Sequence, residues 1–261
     1  MIIDLSLPIK NNTPEPDSPR INYLDHKKGA LHLAEGAKPL AQKIGIENLN
    51  MTEEDFPDSM GLANEEISLD THSGTHLDAP WHFGPKSGNK KSLCIDEIPL
   101  EWCFNDGVVL DFSYKQPGDL ITESDIEKAL EKIDYHIKPL DIVLIRTDAY
   151  KHFYRDDYFS IHPGMSPKAT ELILNKGVKI IGIDAWGFDR PAVLMLKDYL
   201  NTKNKNFLFP SHFAGRKKEY CHIEKLANLD RIPKPYGFKV SCFPVKIEKA
   251  SAGWCRVVAI I

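Results

Sequence analysis

His72, His76, Asp78 and His82 fall within eleven consecutive positions of a 261-residue chain that holds ten histidines in all. Imidazole nitrogens and a carboxylate oxygen are donors that Zn²⁺ and Mn²⁺ both accept, and two imidazoles with one carboxylate leave coordination positions open for water. Spacing then dictates local geometry. On an extended strand His72 and His76 would stand about 13 Å apart at about 3.3 Å per residue, too far to share an ion through bonds of about 2 Å. A regular helix would bring the two imidazoles to one face but turn Asp78 away from them. The segment is therefore expected to bend between the histidines, with Gly74 permitting the turn and Pro80 stopping any helix from running on. A lone histidine usually packs in a core or caps a helix, but a cluster this dense points to a metal. His82, flanked by Trp81 and Phe83, has two readings. It is either a packing imidazole or a proton carrier beside metal-activated water, and we expect the second.

The elements around this segment must position it. Residues 2–7 read as a strand, followed over residues 8–19 by a loop with four prolines. Residues 26–64 show weak periodicity and read as helix fragments and loops. Residues 65–70 alternate polar and apolar types, which predicts a half-buried strand leading into the histidines. Short β-branched runs at 107–113, 142–147 and 178–184 predict buried strands. The intervening 122–133 and 166–177 carry helix signals, among them Ser166 before Pro167 and a closing Gly177. Residues 238–243 and 254–261 predict further strands. Strands alternating with helices imply a mixed α/β sheet covered by helices, and nothing in the composition splits 1–261 into more than one domain. Asp184 and Asp189 follow a predicted buried strand, where sites often gather; their plainer reading is a helix cap and a salt bridge to Arg190. Trp81, Phe83 and Trp186 are candidates equally for an aromatic pocket or for core.

Composition narrows the partners. With 42% hydrophobic and 27% charged residues the chain has material for a core. Its 33 basic against 37 acidic residues, a net charge of -4, argue against nucleic acid or an anionic membrane as partner. The lysines of residues 86–91 read as a solvated loop. The five cysteines are scattered without a Cys-x-x-Cys pair, so reduced, buried thiols are expected. The opening residues lack a basic segment leading into a long apolar run, and no stretch nears the roughly 20 apolar residues of a spanning helix. A cytoplasmic location is the expectation.

From His72 to Phe83 the chain reads H-x-G-T-H-x-D-x-P-x-H-F, with all eight specified positions filled. This resembles the signature of the cyclase family of metal-dependent hydrolases, which includes bacterial kynurenine formamidase and isatin hydrolase. The likeness extends to Asp4 and Ser6 near the start, and to Ser211 and His212 with residues 223–229. It implies that His72, His76 and Asp78 hold one ion, that Asp78 bridges, and that His212 and Glu224 complete a second position. His222 is a competing donor that, read alone, is as plausible as His212. The resemblance further implies a single domain of swivelling β/β/α architecture, assembled as a homodimer or homotetramer. Two departures stand out: Gly187 occupies the serine position of the formamidase-like G-x-D-x-x-S-x-D, and residues 252–256 read Ala-Gly-Trp-Cys-Arg in place of G-S-P-A-R. A pocket unlike that of a formamidase is expected.

The chemistry this predicts is hydrolysis of an amide-type C–N bond in a small molecule by water activated on one or two Zn²⁺ or Mn²⁺ ions, with His82 shuttling the proton. A cyclase or lyase, an esterase, and a binding protein stabilised by its metal are the alternatives. Structural zinc sites are usually cysteine-rich and closed, whereas these donors are histidine and carboxylate.

Overall fold

A computed structural model describes residues 1–14 and 18–261; part of the proline-rich loop expected over residues 8–19 therefore lies outside the described residues. The chain forms two compact units, one of Met1–Ile9, Thr13–Ser18 and Asp70–Ile261 and the other of Lys10–Asn12 and Pro19–Leu69.

The larger unit opens with β1 (Ile2–Asp4). The smaller unit follows with β2 (Arg20–Leu24), α1 (His26–Lys43) and β3 (Asn64–Ser68). The helix fragments expected in this region are one continuous helix of 18 residues, capped by the Asp25 carboxylate accepting from the Lys28 amide and running through Pro39. Its buried positions are Gly29, Ala30, Ala34 and Ala41. Small residues contribute little to hydrophobic periodicity, which is why the stripe is faint in the sequence. The half-burial expected of residues 65–70 is also corrected: β3 pairs antiparallel with β2 in a two-stranded ribbon, and all five of its residues are exposed.

The chain then continues through β4 (His76–Asp78), α2 (Pro80–Phe83), β5 (Lys86–Ser87), β6 (Lys90–Lys91) and β7 (Phe104–Asp111). The lysine-rich loop expected at 86–91 is thus a short antiparallel hairpin of β5 and β6. Next come β8 (Leu120–Ile121), α3 (Glu123–Ile133), β9 (Ile142–Arg146), β10 (Gly164–Met165), α4 (Pro167–Asn175) and β11 (Ile180–Ile183). Last are α5 (Ala192–Thr202), β12 (Cys221–Glu224), β13 (Tyr236–Ser241), β14 (Ala252–Trp254) and β15 (Val258–Ile260). Capping chemistry sets the helix starts: Thr122 forms a reciprocal capping box with Asp125, and Ser166 accepts from the Ala169 amide ahead of Pro167.

Nine strands form one mixed sheet in the order β1-β15-β13-β7-β9-β11-β12-β4-β14. Its centre, β7-β9-β11-β12, is parallel, and α3, α4 and α5 are the crossovers between successive parallel strands. The two-residue period splits the core. Val108, Leu110, Val143, Ile145, Ile181 and Ile183 pack with Ile126, Ala169 and Ile173 of the helices. Val109, Ile142, Leu144 and Ile180 face the opposite way, against Phe238, Val240, Val257 and Ala259. Both faces of β7, β9 and β11 are therefore buried, which accounts for their unbroken apolar runs. All five cysteines are free and buried. Among the described residues no helix is long and apolar enough to cross a membrane.

Candidate metal centre

β4 lies between β12 and β14, antiparallel to both. On the β12 side Asp78 stands opposite His222, Leu77 opposite Ile223 and His76 opposite Glu224. Strand side chains alternate faces, so this register places His76, Asp78, His222 and Glu224 on one face, while Leu77 and Ile223 enter the core behind. Four polar donors from two neighbouring strands are thereby set side by side and buried.

The expected bend precedes β4. Gly74 has φ +60°, in the left-handed region that a β-carbon disfavours. The Thr75 hydroxyl donates to the Lys225 carbonyl at 2.5 Å and accepts from the Leu7 amide at 2.8 Å, which ties the start of β4 to the end of β12. Behind the strand, Pro80 begins the one-turn α2 that carries His82. The segment is thus turn, strand, helix.

Asp78 is the hub. Its Oδ1 lies 2.7 Å from His72 Nδ1 and 3.2 Å from His76 Nε2. Its Oδ2 lies 2.7 Å from His222 Nε2 and 3.9 Å from His82 Nε2. Glu224 forms a second focus, with Oε1 3.5 Å from His212 Nε2 and 3.4 Å from His222 Nε2, and Oε2 3.8 Å from His76 Nε2. Two groups of donor atoms result, each within 4.8 Å of one another: Asp78, His212, His222 and Glu224, and His72, Asp78 and His82. His72, His76, Asp78, His82, His212 and Glu224, the candidate ligands and proton carrier of the sequence, lie together here. His222, the competing donor, joins His212 there.

Each of four imidazoles has one nitrogen occupied from outside. His76 Nδ1 donates to the Gly74 carbonyl at 2.9 Å, and His212 Nδ1 to Asp189 Oδ2 at 2.6 Å. The Tyr220 hydroxyl donates to the Ser211 carbonyl at 3.0 Å and so is left to accept from His222 Nδ1 at 3.3 Å. His72 Nε2 lies 3.0 Å from Ser251 Oγ. In each ring the other nitrogen faces the carboxylates. Outer partners of this kind fix the tautomer and orientation of metal-binding imidazoles.

His76 Nε2, His222 Nε2 and both oxygens of Asp78 are buried without a hydrogen-bond partner among the described residues. Native structures seldom leave such groups unsatisfied unless an ion or water serves them. Burial alone would raise Asp78, but His76, His82 and His222 hold it well below the usual carboxylate range. Glu224, also penalised by burial, is pulled below its usual range by His222 and His212. His222 rises to about 9 despite its burial because Asp78 and Glu224 adjoin it. Burial draws His82 down to about 4, with Asp78 opposing and His72 and His212 adding to the effect. The cluster thus sets two ionised carboxylates around the His222 ring and keeps His82 neutral at neutral pH.

Asp189, whose plainer reading included a salt bridge to Arg190, has another task. Its oxygens accept from the Ser211 and His212 amides at 2.7 and 3.0 Å as well as from the His212 ring, and Arg190 instead pairs with Asp198. Asp184 accepts from the Thr147 amide and hydroxyl, both at 2.6 Å, and from the Asp148 amide at 2.9 Å, fixing the end of β11 to that of β9. Close approach completes the frame: a β-carbon on Gly215 would stand 2.2 Å from the Phe83 ring, so the short helix His212–Arg216 rests directly on α2. The Arg216 Nε donates to the Phe83 carbonyl at 2.6 Å.

A cavity of about 200 Å³ adjoins the cluster, with His72, His82, His212 and Glu224 on one side and Trp186, Phe209 and Met195 among its other walls. Of the three aromatic candidates, Trp186 lines this cavity, Phe83 is core, and Trp81 is 40% exposed.

The profile of a protein family described as "Putative cyclase" matches residues 3–190, well over half of the chain. The isatin hydrolase of Roseibium aggregatum is 28% identical over 228 residues, 84% of this chain and 81% of that protein. The kynurenine formamidase of Erythrobacter litoralis is 26% identical over 219 residues, 83% of each chain. Among solved structures, isatin hydrolase A from Ralstonia solanacearum superposes with a TM-score of 0.74 at 21% identity, over 100% of this chain and 92% of its own. An isatin hydrolase bound to the product analogue thioisatinate gives 0.73 at 20% identity, again over 100% and 92%. These likenesses establish the fold as the mixed α/β architecture expected.

Proposed function

The chain belongs to the cyclase family, and from that premise we propose that it is a metal-dependent hydrolase opening an amide-type C–N bond in an aryl formamide, a cyclic imide or a lactam. The observation that carries this reading is the convergence of the Asp78, His212, His222 and Glu224 ligand atoms within 4.8 Å of one another, with the buried His76 Nε2 3.2 Å from Asp78, a donor set that suits a divalent cation. His72, His76, His212, His222 and Glu224 would hold one or two Zn²⁺ or Mn²⁺ ions, with Asp78 offering one oxygen to each side. Bound there, such an ion acidifies water towards a pKa of about 7 and polarises a carbonyl. His82 takes the proton from the attacking water and returns it to the leaving nitrogen; its partly open side chain on the cavity wall supports that role. The names of the two relatives support amide substrates. The family likeness supports action as a homodimer or homotetramer, and we place the enzyme in the cytoplasm.

The decisive experiment is elemental analysis of the purified protein beside a His76→Ala variant, with hydrolysis of N-formylkynurenine and of isatin followed on both. One or two Zn or Mn ions and C–N cleavage in the wild type, with both lost in the variant, are expected. A wild type without metal overturns the proposal.

Gly187 bears on which amide is cleaved. A β-carbon added there would meet only Glu224 Oε1, at 3.9 Å, and its φ lies outside the left-handed region. Gly187→Ser should therefore fold as the wild type does while narrowing the cavity beside Glu224. The expected result is an unchanged melting temperature with an altered ratio of kcat/KM between N-formylkynurenine and isatin; an unaltered ratio would show that this position does not select substrate.

A further inference from the structure

A second cavity, of about 390 Å³, lies between α3 and the segment that enters β13. It shares no wall residue with the cavity beside the histidines, and four strand spacings of about 4.8 Å each separate its β7 wall from β4. Its cations are Lys128 and Lys132 of α3, Lys234, and Arg146 at the end of β9. Arg146 is committed: it donates to the two oxygens of Asp148 at 2.8 and 3.0 Å and to Asp111 at 3.2 Å, so Asp111, the acidic residue of this wall, is answered as well. The three lysines are exposed, and their side chains make no ion pair or hydrogen bond among the described residues. The helix sorts its charges. Glu127, Glu131 and Asp134 line a different hollow, which leaves Lys128 and Lys132 as like charges four positions apart, an arrangement that repels unless an anion joins them. Between the lysines the floor is apolar: Val109 and Leu229 are buried there, and Ile133 and Ile232 are half-buried. The wall opposite α3 is stiff, because the Pro235 carbonyl accepts from the Val109 amide at 2.7 Å and two prolines, Pro233 and Pro235, fix their own backbone. In a chain of net charge -4, three uncompensated ammonium groups thus surround one hollow whose low-dielectric floor focuses their field.

We propose that this cavity is a binding site, remote from the metal centre, for a small carboxylate with an apolar body, such as an aryl acid. The carboxylate sits among the ammonium groups of Lys128, Lys132 and Lys234, whose flexible stems let all three reach it. The body lies on Val109, Ile133 and Ile232. Charge alone would attract any anion, and the apolar floor alone any hydrophobe; the two together select a molecule that carries both. The site stands whether or not the metal centre hydrolyses an amide.

The test is equilibrium binding to the metal-loaded protein, followed by ligand-observed NMR, with 2-naphthoate, the neutral 2-naphthylmethanol and acetate as probes. Naphthoate should bind more tightly than either of the others, and added salt should weaken it while leaving the alcohol unchanged. Lys128→Gln, Lys132→Gln and Lys234→Gln, all at exposed positions, should fold as the wild type does. Each should weaken naphthoate about threefold, the scale of one exposed ion pair, and the triple variant by more than about tenfold, with the alcohol unaffected. Naphthoate bound no better than acetate, or equally well by the wild type and the triple variant, would overturn the site. So would naphthoate binding that survives the triple variant and disappears from His76→Ala protein, because the acid would then lie on the metal centre.

Discussion

Asp78→Asn is expected to strip the centre of its metal and to lower kcat/KM by two to three orders of magnitude or more. The carboxylate is fully buried, with oxygens 2.7 Å from His72 and 2.7 Å from His222 on opposite sides. An amide of the same shape turns one of those acceptors into an N–H₂ donor. That donor would hydrogen-bond the acceptor nitrogen of a ring that donates elsewhere, taking the lone pair a cation needs, or would point at the cation itself. Removing one member of a buried, charge-compensated set costs about 3–5 kcal/mol, which at about 1.4 kcal/mol per tenfold corresponds to at least about two decades in metal affinity. Elemental analysis of the variant and its rate on whichever amide the wild type cleaves are the measurements. A variant that retains full metal occupancy would mean that Asp78 shapes the site without ligating, and would move the ligand set onto His212, His222 and Glu224.

The motif from His72 to Phe83 was legible because residue type and spacing alone constrain it: donors at 72, 76 and 78 with glycine and proline between and behind admit few local paths. β7, β9 and β11 were legible for a similar reason, since burial on both faces writes an unbroken apolar run; the fourth parallel strand, β12, carries His222 and Glu224 and was not. His222 shows where such reading stops. Its signal was present as a two-residue offset from Glu224, but only after residues 221–224 are taken as a strand does that offset put both side chains on one face. Asp189 was harder still. Its work is to receive the Ser211 and His212 amides and the His212 ring, a relation between residues more than twenty positions apart that no local pattern encodes. α1 was obscured because its buried side is glycine and alanine and because Pro39 lies inside it; propensity argued against a helix that tertiary packing nevertheless forms. Likewise α5 exposes Val193, Leu196 and Leu200 and buries only Met195, so its face toward the core carries little periodic signal.

His82→Ala is expected to lower turnover by about 10²–10⁴-fold, the usual contribution of a positioned general acid or base, while metal content stays at the wild-type level. The geometry separates this imidazole from its neighbours. Its Nε2 is 3.9 Å from Asp78 Oδ2, against 2.7 Å for His222, and its side chain is 33% exposed where that of His222 is fully buried. It sits on the cavity side, with its ring 4.2 Å from that of His72. Truncation should leave the frame intact, because α2 is held by the buried Phe83 and by the Arg216 side chain on the Phe83 carbonyl and not by His82. Free imidazole should therefore diffuse into the vacated space and restore part of the rate, an outcome that a lost ligand or a collapsed helix would not give. If instead the variant loses metal along with activity, His82 belongs with His72 and Asp78 as a donor, a grouping their distances also permit, and the proton must travel by another route.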